Sequence, residues 1–137
     1  MATAGRWGDA ENMKGGERVS QLRRHKYNAE KTIIDGILFP SRREAEYYCD
    51  LKLSEKAKEI KTFFLQPSFT LQDAFTDNTG KKHRDIKYIA DFMILHNDGT
   101  EEVVDVKASK TFQTEVYRLK KKLFLSRYKQ YKFTEVY

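Results

Sequence analysis

An α/β (α+β) domain, with a sheet covered by helices, is what this 137-residue sequence predicts. Three observations lead there. Period-2 apolar runs bounded by turn residues alternate with period-3.6 runs, in the order small hairpin, helix, strands, hairpin, helix, strand. The stretch from Tyr88 to Lys107 is apolar on both faces outside one charged patch, as expected of a sheet covered on both sides. A 39% hydrophobic and 13% aromatic composition at this length suits one domain with a real core, although the 34% charged fraction is high.

Residues 1–25 carry Gly5, Gly8, Gly15 and Gly16 among mixed charges with no sustained periodicity, and read as an arm ahead of a domain over 26–137. Arg18, Arg23, Arg24 and Lys26 in and beside it could touch nucleic acid or simply solubilise it. Thr32 to Phe39 reads as a small hairpin pivoting on Asp35-Gly36. Pro40 stops it, and Ser41 opens a helix to about Ala57. Ser41 with Glu44 three residues on is the capping-box signature. Glu44 also falls between Tyr47, Tyr48 and Leu51 on the helix's apolar side, where a carboxylate calls for an assigned partner. It is therefore either a cap or a site acid.

Between Ile60 and Leu71, Pro67 either splits an apolar run into two short strands or marks an edge or bulge. Gln66 beside it is either a core amide or a polar group facing a site. Asp73 to Lys87 reads as a turn-rich connection whose Lys81, Lys82 and Arg84 suit phosphate contact. A second helix, from about Phe112 to Tyr128, repeats Phe112, Val116, Leu119 and Leu123 at helical spacing, joined by Tyr117 and Phe124, as its buried side. Tyr131 to Val136 alternates as a last strand.

The hairpin between the strands and the second helix carries the chemistry. Asn97-Asp98-Gly99 separates two apolar runs, and a turn centred on Asp98 pairs residues whose numbers sum to about 196. Asp91 then opposes Asp105, give or take one register step, and Lys107 shares their face. Tyr88, Ala90, Phe92, Ile94, Val104 and Val106 fall on the other face, while Ile89, Met93, Leu95 and Val103 share the aspartate face. Like charges opposed in a sheet are destabilising, so folding alone does not account for the pair. A hard divalent cation does: Mg²⁺, with Mn²⁺ as the alternative, takes oxygen ligands from one or two carboxylates plus a substrate phosphate. Lys107 could orient water or stabilise developing charge. The structural alternative is a salt-bridged pair with Lys107 as counter-ion, which leaves one acid unpaired.

Charge distribution points the same way. Of a net +6, the segment from Lys107 to Tyr137 carries nine Lys or Arg against Glu115 and Glu135. That excess of seven makes the rest nearly balanced and suggests a phosphate partner through Lys110, Lys120 and Lys121; a solvated helix face is the alternative. Cys49 is the single cysteine, which excludes an intramolecular disulfide, and it reads as a small core residue. His25, His83 and His96 lack zinc-ligand spacing. No run approaches the length of a membrane span and no signal-peptide core is present, so a cytoplasmic protein without membrane partners is expected.

Asp91 followed fourteen residues later by Asp105-Val106-Lys107 resembles the D…(D/E)-x-K signature of PD-(D/E)XK nucleases, with Ala90 where a proline usually stands and Asp105 where Glu is commoner. The element order is similar to that superfamily's restriction-endonuclease-like αβββαβ core, a central mixed sheet flanked by helices. The segments at 26–32, 41–48, 65–69, 88–92 and 103–107 resemble a family of small phage and prophage proteins of unknown function with expected nuclease character, over about residues 26 to 136. The resemblance implies metal binding by Asp91 and Asp105, with Glu44 as third acid, Lys107 as catalytic lysine and Gln66 as a site-proximal amide. The resemblance does not identify the substrate; together with the basic second helix, the reading expected is a Mg²⁺-dependent endonuclease on DNA, with RNA as the alternative nucleic acid. Branched or recombination intermediates suit a chain with no separate recognition domain. A homodimer is expected if both strands are cut. The rival is a non-catalytic nucleic-acid-binding or phage accessory protein on a nuclease fold.

Overall fold

The computed structural model describes residues 30–111 and 113–137. The expected arm over 1–25, its arginines, and the helix-spacing residue Phe112 lie outside them. The chain clusters into two units, residues 1–56 and 57–137, and each is taken by itself.

In the first unit, β1 (Thr32–Ile34) pairs antiparallel with β2 (Ile37–Phe39), with Ile34 opposite Ile37. The two turn residues, Asp35 and Gly36, have φ of 54° and 78°, the left-handed pair a tight hairpin needs and Asp-Gly tolerates. Helix α1 (Arg42–Lys56) follows, and Ser41 Oγ accepts the Glu44 N–H at 3.1 Å. That bond satisfies one of the orphan donors at the helix start. Ala45, Tyr48 and Leu51 form the buried face of α1. Tyr48 packs on Phe39 with ring centroids 5.1 Å apart, and its hydroxyl donates to Asp35 at 2.8 Å. Lys52 Nζ reaches the same carboxylate at 3.2 Å. The hairpin turn is thus tied to the helix through one acid. Cys49, expected in the core, is only half-buried there.

The second unit is built on a long, interrupted hairpin. Strands β3 (Thr62–Leu65), β4 (Ser68–Gln72) and β5 (Phe75–Thr76) run out, and β6 (Lys82–His83), β7 (Ile86–Ile89) and β8 (Phe92–Leu95) return. Thr62 pairs with Leu95, Ser68 with Ile89 and Phe75 with His83. The segment 73–87, read from sequence as a turn-rich connection, therefore includes paired strands. Its tip is organised by Asp77, whose carboxylate accepts the N–H groups of Thr79 and Lys81 and meets His83 Nε2 at 2.8 Å. Those bonds hold the Asp77 carboxyl well below its ordinary range.

Pro67 breaks the hairpin as expected, because it has no N–H to give the ladder. Gln66 enters the left-handed region at φ 49°. Its N–H donates to Asp91 O at 2.9 Å, and Ala90 N–H to Pro67 O at 3.0 Å. The kink thus falls between Gln66-Pro67 on one strand and Ala90-Asp91 on the other.

Strand β9 (Glu101–Val106) pairs with β8 with Phe92 opposite Val104, the register expected from a turn at Asn97-Asp98-Gly99. Helix α2 (Glu115–Arg127) then carries the chain across to β10 (Lys132–Val136), which lies parallel to β9 with Glu135 beside Asp105. A parallel neighbour requires such a crossover. The result is a four-stranded mixed sheet in the order β10-β9-β8-β3.

The core of this unit gathers Phe69, Leu71, Tyr88, Ala90, Val103 and Phe124, with Tyr117, Tyr128, Tyr131 and Phe133 against them. Phe124 is fully buried, with the Phe69 ring 4.8 Å away and edge-on. Burial of one such side chain stabilises by roughly 1.5–3 kcal/mol.

The structure departs from two sequence expectations. Tyr88 and Ala90, expected on the face opposite Asp105, pack with Val103 and Phe124 instead. The kink at Ala90-Asp91 breaks the strict alternation on which that expectation rested, and it leaves Ile89 exposed. On α2, Tyr117 and Phe124 do face the sheet, but Val116, Leu119 and Leu123 are exposed at 64%, 59% and 39%. The helix carries two apolar stripes, and the aromatic one, having more area to bury, faces in. No described helix is long and apolar enough to cross a membrane.

Candidate active site

The end of β9 brings the acids and the lysine of one sheet face together. Asp105 is buried, its side chain only 7% exposed, and Lys107 Nζ lies 2.9 Å from its Oδ1. The Tyr88 hydroxyl donates a short hydrogen bond to Asp105 Oδ2. Both oxygens of this carboxylate thus carry a donor, which is how a buried charge is tolerated. Tyr88 can reach it because the kink turns β7 onto the α2 side. Burial, and then the adjacent Asp105 charge, push the Tyr88 hydroxyl far up, so it stays a donor.

Asp91 sits just beyond the last ladder pair, Phe92–Val104. Its N–H donates to Val104 O at 3.1 Å, and its Oδ2 accepts the Val106 N–H at 2.7 Å. The side chain thereby substitutes for a ladder bond and holds its carboxylate against β9, one step from Asp105. Lys107 continues β9, its N–H bonded to Val136 O at 2.6 Å. Its ammonium rests over the Tyr117 ring, 3.3 Å from the centroid.

Behind these groups lies Glu135, the β10 neighbour of Asp105. It accepts from Tyr117 OH at 2.5 Å, Tyr137 OH at 2.8 Å and Lys121 Nζ at 3.1 Å. Burial raises its pKa, but these bonds outweigh burial and leave it below the ordinary glutamate value. Burial and the bond to Glu135 raise Tyr117 far above its ordinary range. On the other parity of β9, buried Glu102 takes Thr134 Oγ1 and His96 Nε2, and these likewise overcome burial to keep its pKa low.

Of the residues singled out from sequence, Asp91, Asp105 and Lys107 come together, and Gln66 is joined to Asp91 through its backbone while its side chain is exposed. Glu44 belongs to the first unit, half-buried at the start of α1, where its N–H is capped by Ser41. Lys81, Lys82, Arg84 and Lys110 are exposed, and Lys120 is half-buried. Lys121, expected at phosphate, lies 3.1 Å from half-buried Glu135. Tyr88, Tyr117 and Glu135 were not singled out as site residues. The alternation of Tyr131 to Val136 placed Glu135 on a strand, but its neighbour across a parallel pair is set by the crossover.

The donors at this site are the oxygens a hard cation takes. Asp91, at the kink before β8, and Asp105, on β9, offer carboxylate oxygens, and each Asp105 oxygen keeps a second lone pair beyond the proton it accepts. That suits a loosely held Mg²⁺ sharing its shell with water and phosphate. Among the described residues no group of three His, Cys, Asp or Glu forms a ready-made cluster.

A family model described as a protein of unknown function, DUF1064, matches residues 24–137. The chain belongs to that family. No curated protein and no solved structure matches it.

Proposed function

We propose that this member of the DUF1064 family is a Mg²⁺-dependent nuclease of the PD-(D/E)XK type, with a restriction-endonuclease-like core, that hydrolyses phosphodiester bonds in DNA. The observation that carries the reading is Lys107 at 2.9 Å from buried Asp105 with Asp91 fastened to the same strand end. Two acids and a lysine gathered where one strand pair stops are costly to fold and useful for phosphoryl chemistry.

Asp91 and Asp105 would hold the cation, which supplies charge neutralisation and a more acidic water when bound. Lys107 presents its ammonium beside them and stabilises negative charge on phosphorus oxygens as water adds and the ester oxygen departs. Asp105 keeps that ammonium in place. The attacking water gives up one proton and the departing alkoxide takes one up, so hydrolysis is balanced overall. Exposed Lys81, Lys82, Arg84 and Lys110 provide phosphate contacts that add affinity with little sequence reading. Mn²⁺ fits the same oxygen donors, and RNA offers the same phosphodiester. Activity as a homodimer accords with one site cutting one strand, and the same reading makes this a cytoplasmic enzyme of phage or prophage origin.

The test is incubation with linear, branched and single-stranded DNA, with Mg²⁺ or with EDTA. Cleavage that needs Mg²⁺ and is lost in Asp105→Ala is expected. Absence of cleavage by the folded protein, or full activity in Asp105→Ala, refutes the reading. Light scattering with and without DNA tests the dimer. A second reading, nucleic-acid binding without turnover, is favoured by the two donors already on Asp105. It expects DNA binding that survives Asp91→Ala and Lys107→Ala and no cleavage at any metal concentration.

A further inference from the structure

The proposed lysine is not merely near an acid; it stands on an aromatic floor whose own position is fixed at both ends. Tyr117 lies in the first turn of α2, where its N–H is capped by Thr114 Oγ1 at 3.1 Å. At its other end the hydroxyl is bonded to Glu135 Oε2 at 2.5 Å. Glu135 is itself held by Tyr137, by Lys121 and by Gln113 Nε2 at 3.4 Å. With so many donors, Glu135 is built to hold the ring.

We infer that Tyr117 and Glu135 are positioning residues for Lys107: the ring sets where the ammonium lies, and the carboxylate sets where the ring lies. The geometry requires both. The Lys107 ammonium has three donors. One goes to Asp105 and one to the ring face 3.3 Å below, leaving a defined direction for the third. A flexible four-carbon stem would otherwise let the ammonium wander, and catalysis by fixed charge depends on its not doing so. Glu135 also sits beside Asp105 in register; its bonds to Tyr117, Lys121 and Tyr137 keep it from competing with Asp105 for the lysine. Because β10 supplies Glu135 and α2 supplies Tyr117, the last two elements of the chain act on the lysine through this contact.

The inference deepens the nuclease reading and, for its effect on turnover, rests on it, so the experiment has one arm that needs no activity. In ¹H–¹³C spectra with the lysine methylenes assigned, an ammonium stacked on a ring shifts the Lys107 ε-protons upfield. The shift should be present in wild type and in Tyr117→Phe, which keeps the ring. It should collapse in Tyr117→Leu and diminish in Glu135→Gln. In Mg²⁺-dependent cleavage, Tyr117→Leu should lower kcat about tenfold, the scale of one desolvated cation–π contact, with KM for DNA unchanged. Tyr117→Phe should recover most of that loss. An unshifted Lys107 in wild type overturns the inference, as does wild-type kcat in Tyr117→Leu when Lys107→Ala is inactive. If Lys107→Ala cleaves as well as wild type, the nuclease reading fails, and the spectra alone decide whether the ring holds the lysine. Urea denaturation of each variant identifies any that has simply lost its fold.

Discussion

Replacing Lys107 with methionine removes the ammonium 2.9 Å from Asp105 Oδ1 and leaves a carboxylate whose side chain is only 7% exposed. Methionine keeps much of the apolar stem, so the loss is chiefly electrostatic. Breaking a buried ion pair from one side costs about 3–5 kcal/mol. Two features reduce that here: Tyr88 still donates to Asp105, and the lysine side chain is itself 21% exposed. A loss of about 2–3 kcal/mol is therefore expected, against about 0.5 kcal/mol or less for an ordinary surface lysine. The sharper expectation concerns the pair. Asp105→Asn in the Lys107→Met background removes the stranded charge and should recover at least about 1 kcal/mol, giving a clear coupling in a double-mutant cycle. Urea unfolding at pH 7 in EDTA measures it, with chelator present so that no cation replaces the ammonium. A Lys107→Met loss no larger than for Lys82→Met, or additive single changes, would refute the claim that Asp105 is a buried charge held by this lysine.

Other consequences follow from the same packing. Gln66 at φ 49° should accept glycine with little loss or a gain, whereas Gln66→Val should cost about 1–2 kcal/mol, because a β-branched residue resists the left-handed region; urea midpoints test this. Phe124→Ala should cost about 3–5 kcal/mol, and Leu119→Ala about 0.5 kcal/mol or less, in thermal or urea unfolding; the reverse order would mean that α2 presents its other stripe to the sheet. Glu102 and Glu135 titrate below the ordinary glutamate value of 4.5. Each depressed carboxyl stabilises the fold above that value, and its contribution is lost as pH falls from about 4.5 through the lower folded value. Glu102→Gln should therefore be less stable than wild type at pH 7 and should flatten the acid limb of a stability–pH curve, while an unchanged limb would refute it.

What the chain alone shows of this fold is what local interactions set. Asp35-Gly36, Ser41 with Glu44, Pro67 and Asn97-Asp98-Gly99 act over a few residues, through allowed backbone angles and nearby donors, and their elements were legible in the chain. The Asp98-centred turn even set the β8–β9 register, so the proximity of Asp91, Asp105 and Lys107 could be read from counting. What counting could not supply was set at a distance. Pro67 faces Ala90 across a strand pair, and only that pairing carries the kink over to Asp91 and turns Tyr88 onto Asp105. Helix α2 holds two apolar stripes of similar period, and the choice between them depends on the aromatic surface waiting on the sheet. Glu135 becomes a neighbour of Asp105 only through the crossover that lays β10 parallel to β9. The sequence by itself determined the acids, the lysine and the strand that bears them, because spacing and turn chemistry are properties of the chain. Which tyrosines meet Asp105 and Lys107, and which second carboxylate anchors one of those tyrosines, was decided by tertiary structure, because a buried charge takes its partners from whatever elements pack against it.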